Sequence, residues 1–307
     1  MSIDLEILSQ ELQKNSQDLS QEFRRLFHGR GGLWEELRFL TVDSIDTVLL
    51  VQFFYDAEKE VQQRIINLLQ TYLKTSRHTA MVLKHRYGKN RRSEIITGEL
   101  PSELYAIENG IKFSIDLLSN QNIGYFGDMK NGRSFIESIA KGKRVLNLFS
   151  YTCGFSLFAK RGGAKEIVNV DMSKSALATG MKNHHLNNFE TKGVSFLPYN
   201  ILKSFPKLKR KAPFDIIIID PPSYQKGSFI AHQDYEKIIK RLPELAAPNA
   251  TLLACLNAPE LDENFLTRQI TTFAPEFVFL KRLENLKEYK SLDEQRSLKN
   301  LVFQREI

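Results

Sequence analysis

Two cysteines, Cys153 and Cys255, are all that 307 residues contain. Such scarcity leaves no disulfide framework and no cysteine-built zinc cluster, and it makes a reducing cytoplasm the expected compartment. Long apolar runs are missing too: no stretch approaches the roughly 18 uninterrupted apolar residues of a membrane span. The opening MSIDLEILSQELQKNSQDLSQEF is too polar for a secretory signal. No internal repeat and no low-complexity segment is visible. The G-x-G-x-x-G loop that seats a pyrophosphate on a helix N-terminus is also absent, which argues against a nicotinamide oxidoreductase.

Acid is absent locally as well. Residues 74–92, KTSRHTAMVLKHRYGKNRR, carry seven Lys/Arg and no carboxylate, and residues 192–214, KGVSFLPYNILKSFPKLKRKAPF, have none either. With a net charge of +7, these stretches suit a polyanion, because phosphate contacts give sequence-independent affinity through counterion release. Solvated cationic faces are the plainer reading of each taken alone. His28, His184 and His185 have no acidic or cysteine partners at ligand spacing, so no metal site is read. The His184-His185 pair falls at the end of a predicted helix, where partial positive charge is favourable.

What is present has a clear order. Residues 1–32 read as a helical, mostly exposed arm that closes on the basic, glycine-rich RRLFHGRGG, expected to be a mobile loop. Residues 33–118 read as a small α/β domain. It has strands in LWEELRFLTV, TVLLVQFFY, AMVLKHR and SEIITG, and a hairpin turned by Asn109-Gly110. Its helix places Val61, Ile65, Leu68, Leu69 and Leu73 on one face. Over residues 119–307 short apolar strands (RVLNLFS, EIVNVD, VSFLPYN, FDIIIID, TLLACLN) alternate with amphipathic helices. That pattern predicts an α/β fold with a Rossmann-like, doubly wound parallel sheet covered on both faces.

Ligands of such sheets sit at the carboxyl ends of the strands, near the switch in strand order. The first strand runs into FSYTCGF, the second ends on Asp171, the third on Asn200, the fourth on Asp220-Pro221-Pro222, and the fifth carries Cys255 and Asn257. An acid ending the second strand is placed to accept hydrogen bonds from ribose hydroxyls. Only Gly154 falls in the first loop, crowded by Phe149, Tyr151 and Phe155, which suits a small sulfonium amino acid better than a pyrophosphate. Taken singly, Gly154 could be a tight turn and Asp171 a helix cap; their joint spacing, with Asp220 behind, favours S-adenosylmethionine (SAM).

The motifs NLFSYTCGFSLFA, VNVDMS and IIIIDPPSY, preceded by NGIKFSIDLLSNQNIGYFGDMKNGR, resemble the class I SAM-dependent methyltransferases of large-subunit ribosomal RNA. The resemblance runs from about Leu33 to the C-terminus. It implies transfer of a methyl group to C5 of a cytosine or N7 of a guanine in 23S rRNA or a ribosomal assembly intermediate. A small domain that contacts RNA would then precede the SAM domain, and the PUA domain of some members has no counterpart here. By the same resemblance Phe149, Ser150, Tyr151, Thr152, Gly154 and Phe155 form the methionine-side loop. Asp171 holds the ribose, and Asn200 faces the adenine amine. Asp220 sits beside the methyl group with Pro221 and Pro222 shaping the floor of the site, and Tyr125, Phe126, Asp128 and Arg133 form a lead-in against the cofactor. Three positions depart from the pattern: Cys153 stands for a usual glycine, Asn200 for a common aspartate, and Lys130 for a frequent arginine.

The acceptor atom stays open at this level. Cytosine C5 needs a thiolate adding to C6, and Cys255 is the thiol near the acceptor side; Asp220 would then polarise the base or assist proton transfer. The competing reading makes Cys255 a core residue of LLACL. Guanine N7 carries its own lone pair and needs only positioning. Pro222, Tyr224 and Asn257 are the expected substrate contacts, with Tyr224 or Phe229 stacking on the base. Ser223 before Tyr224 breaks the D/N-P-P-Y pattern that grips exocyclic amines. Alternatives are a SAM-dependent methyltransferase of a protein or small molecule, and an inactive RNA-binding homologue.

Overall fold

The computed structural model describes residues 4–17, 20–88, 91–225 and 229–306. The first three residues of the arm and Lys89 of the first basic stretch lie outside that set. The chain divides into two compact units, residues 1–127 with 286–293, and residues 128–285 with 294–307.

The first unit opens with helix α1 (Glu6–Asn15) and strands β1 (Arg24–His28), β2 (Leu40–Ile45) and β3 (Val48–Phe53). Helix α2 (Lys59–Leu73), β4 (Ala80–His85), β5 (Arg92–Thr97) and the hairpin β6 (Tyr105–Glu108) and β7 (Ile111–Ser114) follow. The five-stranded sheet has the order β1-β2-β3-β4-β5. Only β3 and β4 pair in parallel, which requires the crossover that α2 supplies. Helix α2 buries Val61, Ile65, Leu69 and Leu73, a four-residue spacing that keeps them on one stripe, while Leu68 lies half-buried beside it. The hairpin turns on Asn109 and Gly110, both at positive φ as a two-residue turn of the expected type needs.

Two expectations for this region need correction. RRLFHGRGG is no loop: Arg24–His28 pairs antiparallel with β2, and Leu26 and Phe27 are buried. A Cβ on Gly29 would lie 1.8 Å from the Leu37 carbonyl oxygen, and one on Gly31 1.9 Å from that of Lys290, so these glycines allow close backbone approach. Arg25 donates to both carboxylate oxygens of Asp43, at 2.5 and 3.2 Å, which accounts for the basic residue inside the sheet. The strand expected in LWEELRFLTV begins only at Leu40, because Glu35–Leu37 forms a 3-10 turn.

The second unit contains α3 (Lys130–Ile139), β8 (Arg144–Leu148), α4 (Gly154–Arg161), β9 (Glu166–Asp171), α5 (Lys174–Leu186), β10 (Val194–Pro198), α6 (Phe205–Lys209) and β11 (Phe214–Ile219). A short pair, β12 (Tyr224–Gln225) and β13 (Phe229–Ile230), leads into α7 (Ala231–Ile239), α8 (Leu242–Leu245) and β14 (Ala246–Leu256). Helix α9 (Glu263–Phe273), β15 (Phe277–Leu283) and β16 (Lys299–Arg305) complete it. The sheet order is β10-β9-β8-β11-β14-β16-β15, parallel from β10 to β14, with β16 antiparallel between β14 and β15. This is the predicted α/β, Rossmann-like sheet.

Strand β11 shows why four isoleucines stand together. Ile217 and Ile219 pack with Tyr235, Ile238 and Ile239 of α7 and Leu266 of α9. Ile216 and Ile218 pack on the opposite face with Ile136 of α3 and Phe155 of α4. A strand buried on both faces has no polar position to spare. The chain leaves β8 for β9 and β10 on one side and returns to β11 on the other, so the switch point lies between β8 and β11. Among the described residues no helix is long and apolar enough to cross a membrane.

Candidate active site

Beyond the carboxyl end of β8 the chain passes through Phe149, Tyr151 and Cys153, each in the left-handed region at φ 59°, 46° and 63°. For a non-glycine residue that conformation costs about 1 kcal/mol or more. Alternating left-handed residues turn successive N–H groups toward one concavity, which favours negative groups. The Tyr151 N–H donates to Asp171 Oδ2 at 2.9 Å, and the Ser173 N–H to Oδ1 at 2.8 Å. Asp171 at the end of β9 is thus tied to the loop, and a carboxylate with about four acceptor sites retains capacity for hydroxyls.

Gly154 and Phe155, expected in the loop, are the first two residues of α4. Phe155 is buried, and a Cβ on Gly132 of α3 would come within 3.3 Å of its ring, so Gly132 sets how closely α3 and α4 pack. Ser150 and Thr152 are buried, and the Thr152 carbonyl accepts from Asn183 of α5. Cys153 is buried in a space left by Gly180, where an added Cβ would lie 2.4 Å from the Cys153 sulfur. The space that the Cys153 side chain fills is therefore left by a glycine on the facing helix. Burial pushes its thiol well above the ordinary range.

A polar chain that sequence reading missed runs beneath this loop. Asn147 Nδ2 donates to Asn169 Oδ1 (2.9 Å), and Asn169 Nδ2 donates to Ser156 Oγ (3.0 Å). The hydroxyl of Ser156 meets His184 Nε2 at 3.1 Å, and His184 Nδ1 faces the Gly180 carbonyl at 2.9 Å. Such geometry asks for a neutral imidazole that donates from Nδ1 and accepts at Nε2. Burial lowers the His184 pKa, so His184 is not the partly charged helix end that its position suggested. The available signal was an asparagine interrupting each of two otherwise apolar strands, VLNLF and EIVNVD.

Asp220 follows β11, and its N–H points to the Leu148 carbonyl at 3.4 Å. Its side chain is half-buried, and its pKa is pushed up to about 7 by burial and by Asp128, with Arg133 opposing. Arg133 is buried on α3. Asp128, Arg133 and Asp220 therefore form one charge-coupled group. Pro221 is buried, whereas Pro222, Tyr224 and Asn257 are exposed. Asn200 caps a 3-10 turn by accepting from the Lys203 N–H at 3.2 Å, which leaves its carbonyl a second lone pair. Phe229 packs edge-on against Phe149 at 4.9 Å between ring centres and is buried, so it is a support rather than a stacking face.

Cys255 is fully buried among Ile216, Ile218, Leu253, Leu298 and Val302. Burial, reinforced by Asp220 and Asp128, holds its thiol well above the ordinary range. The residue contributes its backbone carbonyl, which accepts from the buried Tyr235 hydroxyl at 2.8 Å. Tyr125 and Phe126 belong to the first unit. There the Tyr125 hydroxyl donates to Glu108 at 2.5 Å and its ring packs against Phe23 and Phe113.

The family model for S-adenosylmethionine-dependent methyltransferases matches residues 24–304. The ribosomal RNA large subunit methyltransferase I of Aeromonas salmonicida is 32% identical over 222 residues, covering 70% of this chain and 56% of that protein. The chain thus spans little more than half the length of this relative. A solved structure of a proposed SAM-dependent methyltransferase from Streptococcus mutans superposes with a TM-score of 0.88 at 24% identity, covering 99% of this chain and 82% of that one. A proposed methyltransferase crystallised with S-adenosylhomocysteine (SAH) aligns with the same TM-score of 0.88 at 24% identity, over the same 99% and 82% of the two chains.

Proposed function

The chain belongs to the S-adenosylmethionine-dependent methyltransferase family, and from that premise we propose that it transfers a methyl group from SAM to a base of large-subunit ribosomal RNA. The observation that carries the proposal is the Asp220-Pro221-Pro222 turn at the switch point, flanked by a strained loop and rimmed by exposed Tyr224 and Asn257. The name of the curated relative and the two acid-free stretches favour RNA over a protein or small molecule.

In this reading the 149–153 loop holds the amino-acid end of SAM, Asp171 accepts from the ribose hydroxyls, and Asn200 faces the adenine amine. When bound, SAM supplies an electrophilic methyl group on a sulfonium. Asp220 and Asp128 set a negative field at that end of the sheet. Tyr224 offers its face to an unstacked base, and Asn257 offers both donor and acceptor to the base edge.

The acceptor is a base nitrogen with its own lone pair, of which guanine N7 is the type. The cytosine C5 route needs a thiolate in reach of the base, and Cys255 is enclosed by aliphatic side chains with its thiol held protonated. Cys255→Ala tests this. Turnover on rRNA should stay within about threefold of wild type; a loss of about 100-fold or more, with SAM binding intact, would restore the covalent route.

A further inference from the structure

Strands β10, β9, β8 and β11 lie side by side and in parallel, so all four begin at one edge of the second unit's sheet. Each start carries a lysine. Lys192 lies two residues before β10, Lys165 and Lys143 directly before β9 and β8, and Lys211 three residues before β11.

Hydrogen bonds join these starts into one surface. The Lys165 N–H donates to the Lys143 carbonyl and the Ile167 N–H to the Gly193 carbonyl, both at 2.8 Å. The Arg144 guanidinium donates to the carbonyls of Lys211 and Pro213, both at 2.6 Å. At about 4.8 Å between neighbouring strands, the row spans roughly 15 Å. Arg210, exposed just after α6, extends it.

Exposed Glu190 lies two residues before Lys192, and Asp215 lies 4.0 Å from Lys143, while the other acids of this edge are held by cations. Arg144 holds Glu166 at 2.9 Å, Asp215 accepts from the Arg144 N–H at 2.8 Å, and Lys209 and Arg241 hold Glu244 at 2.9 and 3.0 Å. The surface is therefore net cationic. It also lies at the far end of the strands from Asp220: β11 runs six residues from one edge to the other, roughly 20 Å of extended chain.

We propose that this edge is a second phosphate-binding surface, which grips a segment of RNA other than the one whose base is methylated. The inference rests on the RNA reading above and sharpens it, because the substrate must be large enough to reach both ends of the sheet. A row of cations at strand spacing matches a backbone that carries one charge every few ångströms.

The test is titration of the full chain with a 23S rRNA transcript over a series of salt concentrations. Wild type is compared with a variant carrying Lys165→Gln, Lys192→Gln, Arg210→Gln and Lys211→Gln. At about 0.15 M salt the variant should bind at least about tenfold more weakly, and the slope of log K against log salt should become shallower by roughly 2 to 3. SAM affinity, by calorimetry, reports whether the variant is folded. An unchanged slope and affinity for RNA would overturn the proposal. Wild type that binds no RNA would overturn the substrate reading and the edge with it. Lost binding to phosphatidylglycerol vesicles with RNA binding intact would assign the edge to a membrane surface and overturn the proposal as well.

Discussion

At the carboxyl ends of β8, β9 and β11 positive φ falls on Phe149, Tyr151 and Cys153, and polar groups are drawn inward around them. At the amino ends of β8, β9 and the neighbouring β10 positive φ falls on Gly142, Gly163 and Gly193, and Lys143, Lys165 and Lys192 face solvent. Glycine adopts that conformation without steric cost, so the amino end turns cheaply. The carboxyl end keeps bulky residues in the costly conformation, and the polar chain from Asn147 to His184 underlies it. Strain of this kind persists only where surrounding structure over-determines it, and it gathers at sites of function. One sheet therefore carries a rigid, preorganised end and an electrostatic end.

The largest effect that would break this comparison lies at Asp220. Asp220→Asn keeps the shape and removes the titratable charge; methyl transfer should fall by about 100-fold or more while SAM still binds. Near-normal turnover would mean that the carboxyl end does not depend on the charge-coupled group.

A smaller effect comes from pH. The Asp220 carboxyl holds its proton more tightly in the fold than an ordinary carboxyl, with a pKa of about 7. Its contribution therefore favours the fold at low pH and is lost as pH rises through about 7. The ionised form attracts a sulfonium and has no such hold on the neutral sulfur of SAH. Between pH 6 and 8 SAM affinity should rise several-fold while SAH affinity stays nearly flat. Parallel pH curves for both ligands in calorimetry would remove Asp220 from the sulfonium's neighbourhood.

Much of the carboxyl end was legible because chemistry restricts which residues can stand there. The apolar run Ile216–Ile219 stopping at Asp220-Pro221-Pro222, and Asp171 closing β9, mark strand ends by residue chemistry alone. The Asn109-Gly110 turn was legible for the same reason. Strand β1 was not. A bulge between Arg25 and Phe27 breaks its alternation, and the charge of Arg25 is balanced by Asp43, 18 residues away. The depth of Cys255 was left open because LLACL is equally apolar on both faces, so no periodicity says which face reaches the base. Gly180 could be understood only once α5 was seen against Cys153.

The central claim is that the carboxyl end delivers a methyl group to a base nitrogen of large-subunit rRNA. The most direct measurement is to incubate the enzyme with methyl-labelled SAM and 23S rRNA, then digest the RNA to nucleosides for mass spectrometry. The label is predicted in an N-methylated base, N7-methylguanine first. Label in 5-methylcytosine, or none in RNA, would contradict the account.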